Sequence, residues 1–477
     1  MPGSLDTLPD IPYGDVFNAA CLIQLYGQDL RFCKPLGGWL HWTGTHWKLD
    51  QVDHIMELAR QTITRLGEIA LQRQNTEMLK HISRCFQHRQ LTNMLRQAET
   101  FPHVVATTDQ FDQDSWLLNC QNGTIDLRYG LIDQTRPHRR EDWITRCLDI
   151  PYSPDAECPT WQAFLWRVMG GPLPEEEGSE SALLERHERA ERLVSFLQRA
   201  VGYALTGRTD EQCVFILYGT GRNGKSRFIE ACHELLGPYA KSANMQSFLH
   251  QERETVRNDL ADLHGVRLVS AIEANQGQKF SEGLLKQLTG GDRVKARFLF
   301  KEYFEFLPHF KLFLAFNHKP VLKGNDMAVW ERVRMIPFDV YIPPHERDPY
   351  LQEKLRAELP GILTWAVDGC LAWQVGVNGS PSGLRPPEEV TQATEAYHRE
   401  MDDLGEFLDE RCLRSDLVRV DGKDLYQAYV DWCAHENQPP MHVRTFALDL
   451  QHRGVTRQKS NGKVWYKGIA LKDISSD

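Results

Sequence analysis

Residues 213–237 read CVFILYGTGRNGKSRFIEACHELLG. The apolar run VFILY suits a strand buried on both faces, and SRFIEACHELL has the period of an amphipathic helix. Between them, GTGRNGKS fits the spacing G-x-x-x-x-G-K-[ST] in the strand–loop–helix context that spacing requires. Glycines in such a loop let backbone N–H groups close around phosphates, and the helix N-terminus behind them favours negative charge. Gly219, Thr220, Gly221, Arg222, Asn223, Gly224, Lys225, Ser226 and Arg227 are therefore the candidate nucleotide-binding residues, with ATP the expected nucleotide. Lys225 can reach the β- and γ-phosphates, and the Ser226 hydroxyl can ligate Mg²⁺. A chance glycine turn is the plain alternative, against which the flanking strand and helix argue. The motif alone leaves open a kinase, a nucleotide switch and a motor.

Downstream residues narrow that choice. RLVSAIEAN (267–275) is a second apolar strand ending in Glu273, a carboxylate that can hold the Mg²⁺ shell and polarise an attacking water. FKLFLAFN is a third, ending at Asn317, whose amide can orient that water. WERVRMIPF follows with Arg332 and Arg334. An arginine so far along the module suits a neighbouring subunit's site, as a finger on transition-state charge. Taken singly, Glu273, Asn317 and Arg332 each fit a structural role as well; their order after the glycine loop joins them.

The chain has 477 residues, room for about three domains. No apolar run approaches the roughly 20 residues of a membrane helix, and MPGSLDTLPDIPYGD lacks the basic start and apolar core of a signal peptide. The eleven cysteines are scattered without a C-x-x-C pair. His81, Cys85 and His88 share one helical face but lack a fourth ligand, so no metal site is expected there. These features point to a reduced, cytoplasmic protein without a membrane partner. The net charge of −10 excludes a uniformly basic coat on nucleic acid. It leaves room for local contacts, because phosphate binding depends on the local field.

The expected class is α/β. A mostly helical region covers 1–158, with a hairpin in GGWLHWTGTHWKLD (37–50), a long amphipathic helical pattern from Val52 to Thr100, and short strands about the Asn-Gly turn of WLLNCQNGTIDLRYG. Alternating strand and helix signals define a core over 159–345. Within it PLPEEEGSESALLERHERAERL (172–193) reads as an acidic exposed linker. Residues 346–412 are helical. The tail, 413–477, basic from Met441 on, has two helical segments and a final strand pair.

LLKQLTGGDRVKARFLFKEYFEFLPHFKLFLAFNHKP, with WERVRMIPF after it, resembles the superfamily III helicases of the AAA+ class, and most closely the phage and plasmid primase–helicase family. WLLNCQNGTIDL resembles the helical domain preceding the motor there, shared with poxvirus-type primase–helicases. The tail, from LYQAYVDWCAHENQPPMHVRTFALDLQHRGV to VWYKGIALK, is similar to that family's C-terminal winged helix. The resemblance implies Gly219, Gly224, Lys225 and Ser226 as Walker A and Glu273 as the Walker B acid. It also implies Asn317 as sensor 1 and Arg332 as the arginine finger, Arg334 remaining a second candidate. Many relatives have adjacent acids in Walker B, whereas Glu273 stands between Ile272 and Ala274.

The resemblance further implies an ATP-driven, Mg²⁺-dependent replicative DNA helicase of a phage, plasmid or integrated element, working as a hexameric ring. A hairpin before sensor 1 would line its channel. The matching segment, ARFLFKEYFEFLP, reads as two aromatic-rich strands about a Lys301–Glu302 tip, with Lys295 and Arg297 on the same surface. Lys301 as a solvated turn lysine is the plain alternative. In the tail, Arg453, Arg457, Lys459 and Lys463 surround a strand turn that suits phosphate contact, or a protein partner. The one D-x-D, Asp112 and Asp114, does not end an apolar strand, so no primase site is expected in this chain; a separate primase or replication initiator is the implied partner. Two rivals remain: an initiator that uses ATP only to switch assembly on DNA, and a P-loop kinase or defence ATPase with no DNA track.

Overall fold

The computed structural model of the protein describes residues 3–129, 135–174, 176–249, 258–272, 280–297, 303–322, 327–375, 383–436, 438–460 and 462–472. The N-terminal region opens with α1 (Asp15–Tyr26) and an antiparallel sheet of β1 (Leu30–Cys33), β2 (Gly38–Trp42) and β3 (Trp47–Leu49), the last two forming the expected hairpin. The helical pattern that follows is broken into α2 (His54–Gln72), α3 (Thr76–Cys85) and α4 (His88–Ala98). The first break has a local cause: Gln74 is left-handed at φ 52° and Asn75 caps α3, its side chain accepting from Met78 N at 2.9 Å. Folding back in this way buries Ile63, Leu66, Ile82, Leu91 and Met94 in one core with α1. Strands β4 (Leu117–Cys120), β5 (Gly123–Asp126) and β6 (Thr135–Arg136) form a second small sheet, β4 and β5 turning at Gln121–Asn122, one residue before the expected Asn-Gly turn.

Helices α5 (Pro159–Val168) and α6 (Glu180–Leu205) lead into the core. The acidic linker expected at 172–193 is corrected over its second half. Ser179 caps α6, accepting from Ala182 N, and from Ala190 onward one face of that helix is buried. Glu176 and Glu177 precede the helix, and Glu180, Glu185, Glu188 and Glu191 are exposed on its first half.

Five parallel strands make the central sheet. In chain order they are β7 (Val214–Tyr218), β8 (Ala240–Ser242), β9 (Leu268–Ile272), β12 (Lys311–Phe316) and β13 (Val333–Pro337), arranged in space as β13-β7-β12-β9-β8. Between them lie α7 (Lys225–Leu236), the short turn α8 (Asn258–Ala261), α9 (Glu282–Thr289), the hairpin of β10 (Val294–Ala296) and β11 (Phe304–Phe306), and the short α10 (Met327–Trp330). Alternate side chains leave opposite faces of a strand. Phe215, Leu217, Phe313 and Ala315 face one core with α5, α6 and α7, while Val214, Ile216, Leu312 and Leu314 face another with α9 and the β10–β11 hairpin. This double burial explains the unbroken apolar runs.

The first of those cores also takes in Leu118, Ile125 and Leu148 from the N-terminal region and Ile362, Ala366 and Cys370 from α12 (Leu359–Val375), which follows α11 (Leu351–Ala357). A division at residue 158 therefore cuts through packed side chains. Helix α13 (Glu388–Glu400) runs against β13. The C-terminal unit starts earlier than residue 413: α14 (Asp403–Arg411) shares a core with β14 (Cys412–Asp421), α15 (Gly422–His435), α16 (Val443–His452), β15 (Thr456–Ser460) and β16 (Lys463–Leu471). Strand β14 was missed from sequence; it pairs with β16 in a sheet ordered β14-β16-β15. Among the described residues no helix is long and apolar enough to cross a membrane, and no His, Cys, Asp and Glu group has the makings of a metal site.

Candidate nucleotide site

The glycine loop leaves the C-terminal end of β7, where Gly219 N donates to Phe316 O of β12 at 3.3 Å and Phe338 N, just beyond β13, donates to Tyr218 O at 2.8 Å. A Cβ on Gly219 would collide with Phe338 O, and one on Gly224 would meet Val168 Cγ1 of α5. Gly224 also needs its φ of 89° to start α7. Arg222 takes a left-handed φ of 55°, the one non-glycine residue of the loop to do so.

Lys225, the first residue of α7, is 5% exposed. Its Nζ donates to Gly219 O at 2.6 Å and to Asn223 Oδ1 at 3.0 Å. Burial pushes its pKa down to about 8. Asn223 is buried as well, its Nδ2 donating to Phe338 O at 2.6 Å. Thr220, Arg222, Ser226 and Arg227 are exposed around the loop mouth. Buried lysine, open hydroxyl and a helix N-terminus thus meet at one end of the sheet, an arrangement suited to a polyphosphate.

Asn317 is exposed at that same end, directly after β12, whose Phe316 pairs with Tyr218. The structure therefore brings Asn317 beside the loop. Strand β9 ends there too, its last residue Ile272 pairing with Ala315. Glu273 lies outside the described residues. Arg332 is at the other end: its O accepts from Val214 N at 2.8 Å, where β7 and β13 begin. The length of the strand, roughly 15 Å, separates it from its own loop. Its guanidinium donates to Ala328 O and, at 3.3 Å, to Gln212 Oε1. Arg334 donates to Glu331 O at 2.6 Å and Val333 O at 3.0 Å.

In the β10–β11 hairpin Val294, Ala296, Phe304 and Phe306 point inward and Lys295 and Glu305 outward. The tip, with Lys301, lies outside the described residues. Sequence reading missed Tyr303, half exposed, whose ring carries Lys295 Nζ at 5.0 Å and the Arg297 guanidinium at 4.9 Å. The alternation of charged and aromatic residues in VKARFLFKEYF was the available signal.

Other candidates separate clearly. Arg457 and Lys459 are exposed on β15. Arg453 is held by Asp402, with Nη1 2.8 Å from Oδ2. Lys463 is exposed and lies 3.2 Å from Asp421. Asp112 accepts from Thr145 N at 2.8 Å and pairs with Arg146, and Asp114 pairs with Arg128, so both acids of the D-x-D hold their own fold together. His81 bonds Asn18 at 2.9 Å, and Asn18 donates to Cys85 Sγ at 3.2 Å, a closed hydrogen-bond group rather than a ligand set.

Comparison with known proteins agrees with this layout. Residues 19–170 match the family model described as D5 N terminal like, and residues 217–332 match a family of unknown function, DUF5906. Three viral proteins similar to the chain carry the name "putative helicase". L207/L206 of Acanthamoeba polyphaga mimivirus is 26% identical over 344 residues, 67% of this chain and 33% of that protein. For 022R of Frog virus 3 the values are 30% over 269 residues, 52% and 27%. For V13 of Sputnik virophage they are 23% over 163 residues, 32% and 21%. The chain is similar to the phage and viral primase–helicase family. It spans about a third or less of the length of these relatives. Among solved structures it is similar to the apo C-terminal region of NrS-1, at a TM-score of 0.42 and 9% identity, over 80% of this chain and 90% of that one. Within the family match, the D5-like region extends past residue 158 to include α5, which packs on the glycine loop.

Proposed function

We propose that this protein is an ATP-dependent replicative DNA helicase of a phage, plasmid or integrated mobile element, with a superfamily III AAA+ motor working as a homohexameric ring. The observation that carries the reading is the buried Lys225 held at Gly219 O, with Asn317 at the end of the adjacent strand. Gly219 to Arg227 cradle the triphosphate, and Lys225 exchanges its carbonyl and amide partners for phosphate oxygens. Ser226 and Glu273 are the residues that would hold Mg²⁺, which neutralises phosphate charge when bound. The open hydroxyl of Ser226 on the first turn of α7 fits that role. Asn317 orients the attacking water, and the Glu273 carboxylate polarises it by accepting a hydrogen bond from its O–H.

Arg332 serves the neighbouring subunit as the arginine finger, Arg334 being its alternative. Support comes from its place at the end of the sheet opposite its own loop. The β10–β11 hairpin faces the channel, where Lys301, Lys295 and Arg297 track the phosphates of one DNA strand without reading sequence. The C-terminal unit is a winged helix whose β15 residues Arg457 and Lys459 touch DNA. A separate primase or replication initiator completes the replication machinery. The domain division that goes with this reading is an N-terminal mostly helical domain, the motor with its helical extension, and the winged helix.

ATP-dependent strand release from a forked duplex, with Lys225→Ala as control, tests the proposal. Release by the wild type alone supports a motor. Hydrolysis without release on forks of either tail overturns the helicase reading in favour of an initiator that uses ATP to switch assembly.

A further inference from the structure

Helix α7 carries Lys225 and Ser226 at its head and lies on the sheet through Phe228, Ile229, Cys232 and Leu235, which share a core with Leu268 of β9 and Phe313 of β12. One polar contact interrupts that apolar interface. His233, in the last turn of α7, has its Nε2 2.7 Å from Ser270 Oγ of β9. Ser270 is 2% exposed and is the one polar side chain of β9. It leaves the strand on the same face as Leu268, toward α7. We infer that this hydrogen bond fixes where the head of α7 stands relative to the end of β9, so that His233 and Ser270 are positioning residues for binding of ATP with its Mg²⁺. The inference rests on the proposed motor reading, in which Ser226 and Glu273 hold the ion.

Three observations direct it. First, packing does not require a serine at 270: an alanine would fill the space, and a buried hydroxyl is costly unless it is partnered. Apolar contacts are non-directional and let a helix slide along a strand, whereas a hydrogen bond of this length holds one geometry. Second, the pin stands close to both halves of the site. His233 lies seven residues along the helix from Ser226, about 10 Å of rise. Ser270 lies two residues from Ile272 at the end of β9, about 7 Å of strand, and Glu273 is next in the chain. Third, Ser270 belongs to a braced segment. Its O accepts from Ala243 N at 2.8 Å, and it pairs with Ser242 of β8 while β12 flanks β9 on the other side. The pin therefore ties α7 to a strand held from both edges. Burial keeps the His233 imidazole below its ordinary pKa, so the pair is neutral and needs no counter-ion.

The experiment measures ATP affinity of the full chain by calorimetry, in Mg²⁺ and in EDTA, together with melting temperature. The variants are Ser270→Ala, His233→Leu, the two combined, His233→Gln and Lys225→Ala. Each of the first two leaves one polar partner unsatisfied and should melt lower, whereas the double variant removes both and should melt near wild type. The expected result is that the gain in affinity on adding Mg²⁺ falls at least fivefold in Ser270→Ala, His233→Leu and the double variant alike, with affinity in EDTA unchanged. His233→Gln, whose amide replaces the ring nitrogen as partner, should keep the gain. A gain that recovers with the melting temperature in the double variant overturns the inference, since the bond would then serve stability alone. A full gain in Ser270→Ala overturns it as well, and so does an equal loss of affinity in EDTA, which would place the effect on the phosphate cradle. ATP affinity in EDTA that survives Lys225→Ala overturns the glycine loop as the phosphate site, a failure of the motor reading that the pin variants cannot mimic.

Discussion

Asn223 joins Lys225 to the last strand of the sheet: its Oδ1 accepts from Lys225 Nζ at 3.0 Å while its Nδ2 donates to Phe338 O at 2.6 Å. The lysine is thus held in place, and partly desolvated, before any phosphate arrives. Its pKa of about 8 is the cost of that burial. A triphosphate beside it restores the charged form and raises the pKa again. At pH 8.5 the empty site is mostly neutral and the filled site mostly charged, so binding takes up a proton. Affinity then falls as pH rises through 8. Calorimetry at pH 8.5 in two buffers of different ionisation enthalpy should show uptake approaching one proton, falling toward zero at pH 6.5, and Lys225→Ala should show none of this dependence. Proton release on binding at pH 8.5 would refute the account.

Arg332 sits where β13 begins and the glycine loop where β7 ends. If Arg332 completes a neighbour's site, Arg332→Ala should bind ATP with normal affinity and lose about 10³-fold or more in turnover, the range for removal of an arginine finger. Mixing it with Lys225→Ala should restore some hydrolysis, because some interfaces then pair an intact loop with an intact finger. Mixtures as inactive as either parent count against a shared site. Arg334→Ala, assayed in parallel, decides between the two arginines.

The sequence carried the core because burial on both sides of a parallel sheet leaves unbroken apolar runs, and because Gly219 and Gly224 occupy positions a side chain would obstruct. Other parts were illegible for identifiable reasons. The acidic turns of α6 have the composition of a linker, and only the apolar stripe from Ala190 onward, set against α12, marks them as helix. The first break in the long helical pattern was hidden because turn chemistry at Gln74 and Asn75 outweighed the continuous period. Strand β14 was hidden because Leu413 and Leu417 are exposed and its burial does not alternate. Arg453 looked like a surface cation because Asp402, its partner, is distant in sequence.

The Asp402–Arg453 pair anchors the end of α16 to the start of α14, and Asp402 also caps α14 by accepting from Gly405 N at 3.0 Å. Burial alone would raise the Asp402 carboxyl, but the Arg453 and Gly405 hydrogen bonds outweigh it and hold its pKa below the ordinary value. A carboxylate shifted this way stabilises the fold fully above the unfolded value, about 3.9, and loses that contribution as pH falls through its folded value. Arg453→Ala should therefore destabilise the C-terminal unit by about 2–3 kcal/mol at pH 7. Without the arginine, burial keeps the carboxyl protonated to higher pH, so the gap in melting temperature between wild type and variant should narrow as pH drops below about 4. A gap that is constant from pH 7 to pH 3.5 would show that the pair carries no charge-linked stability.

Tyr303 holds the Lys295 ammonium and the Arg297 guanidinium on its ring while about half of its surface stays open to solvent. A flat ring flanked by two cations can stack on a base while the cations meet the phosphates on either side. The charges and the ring should then separate experimentally. Lys295→Ala and Arg297→Ala should each lower the salt dependence of single-strand binding by about 0.7 in the logarithmic slope, the value for one phosphate contact. Tyr303→Ala should weaken binding by about 1–3 kcal/mol, the usual worth of one stacked base, without removing a charge. Tyr303→Phe should retain the stacking. Because Val294, Ala296, Phe304 and Phe306 carry the hairpin's core, none of these changes should touch the sheet or basal ATP hydrolysis. Strand release from a fork should fall with Lys295→Ala, Arg297→Ala and Tyr303→Ala and persist in Tyr303→Phe. Salt slopes and strand release that stay at wild-type values in Lys295→Ala and Arg297→Ala would rule out this hairpin as the DNA track.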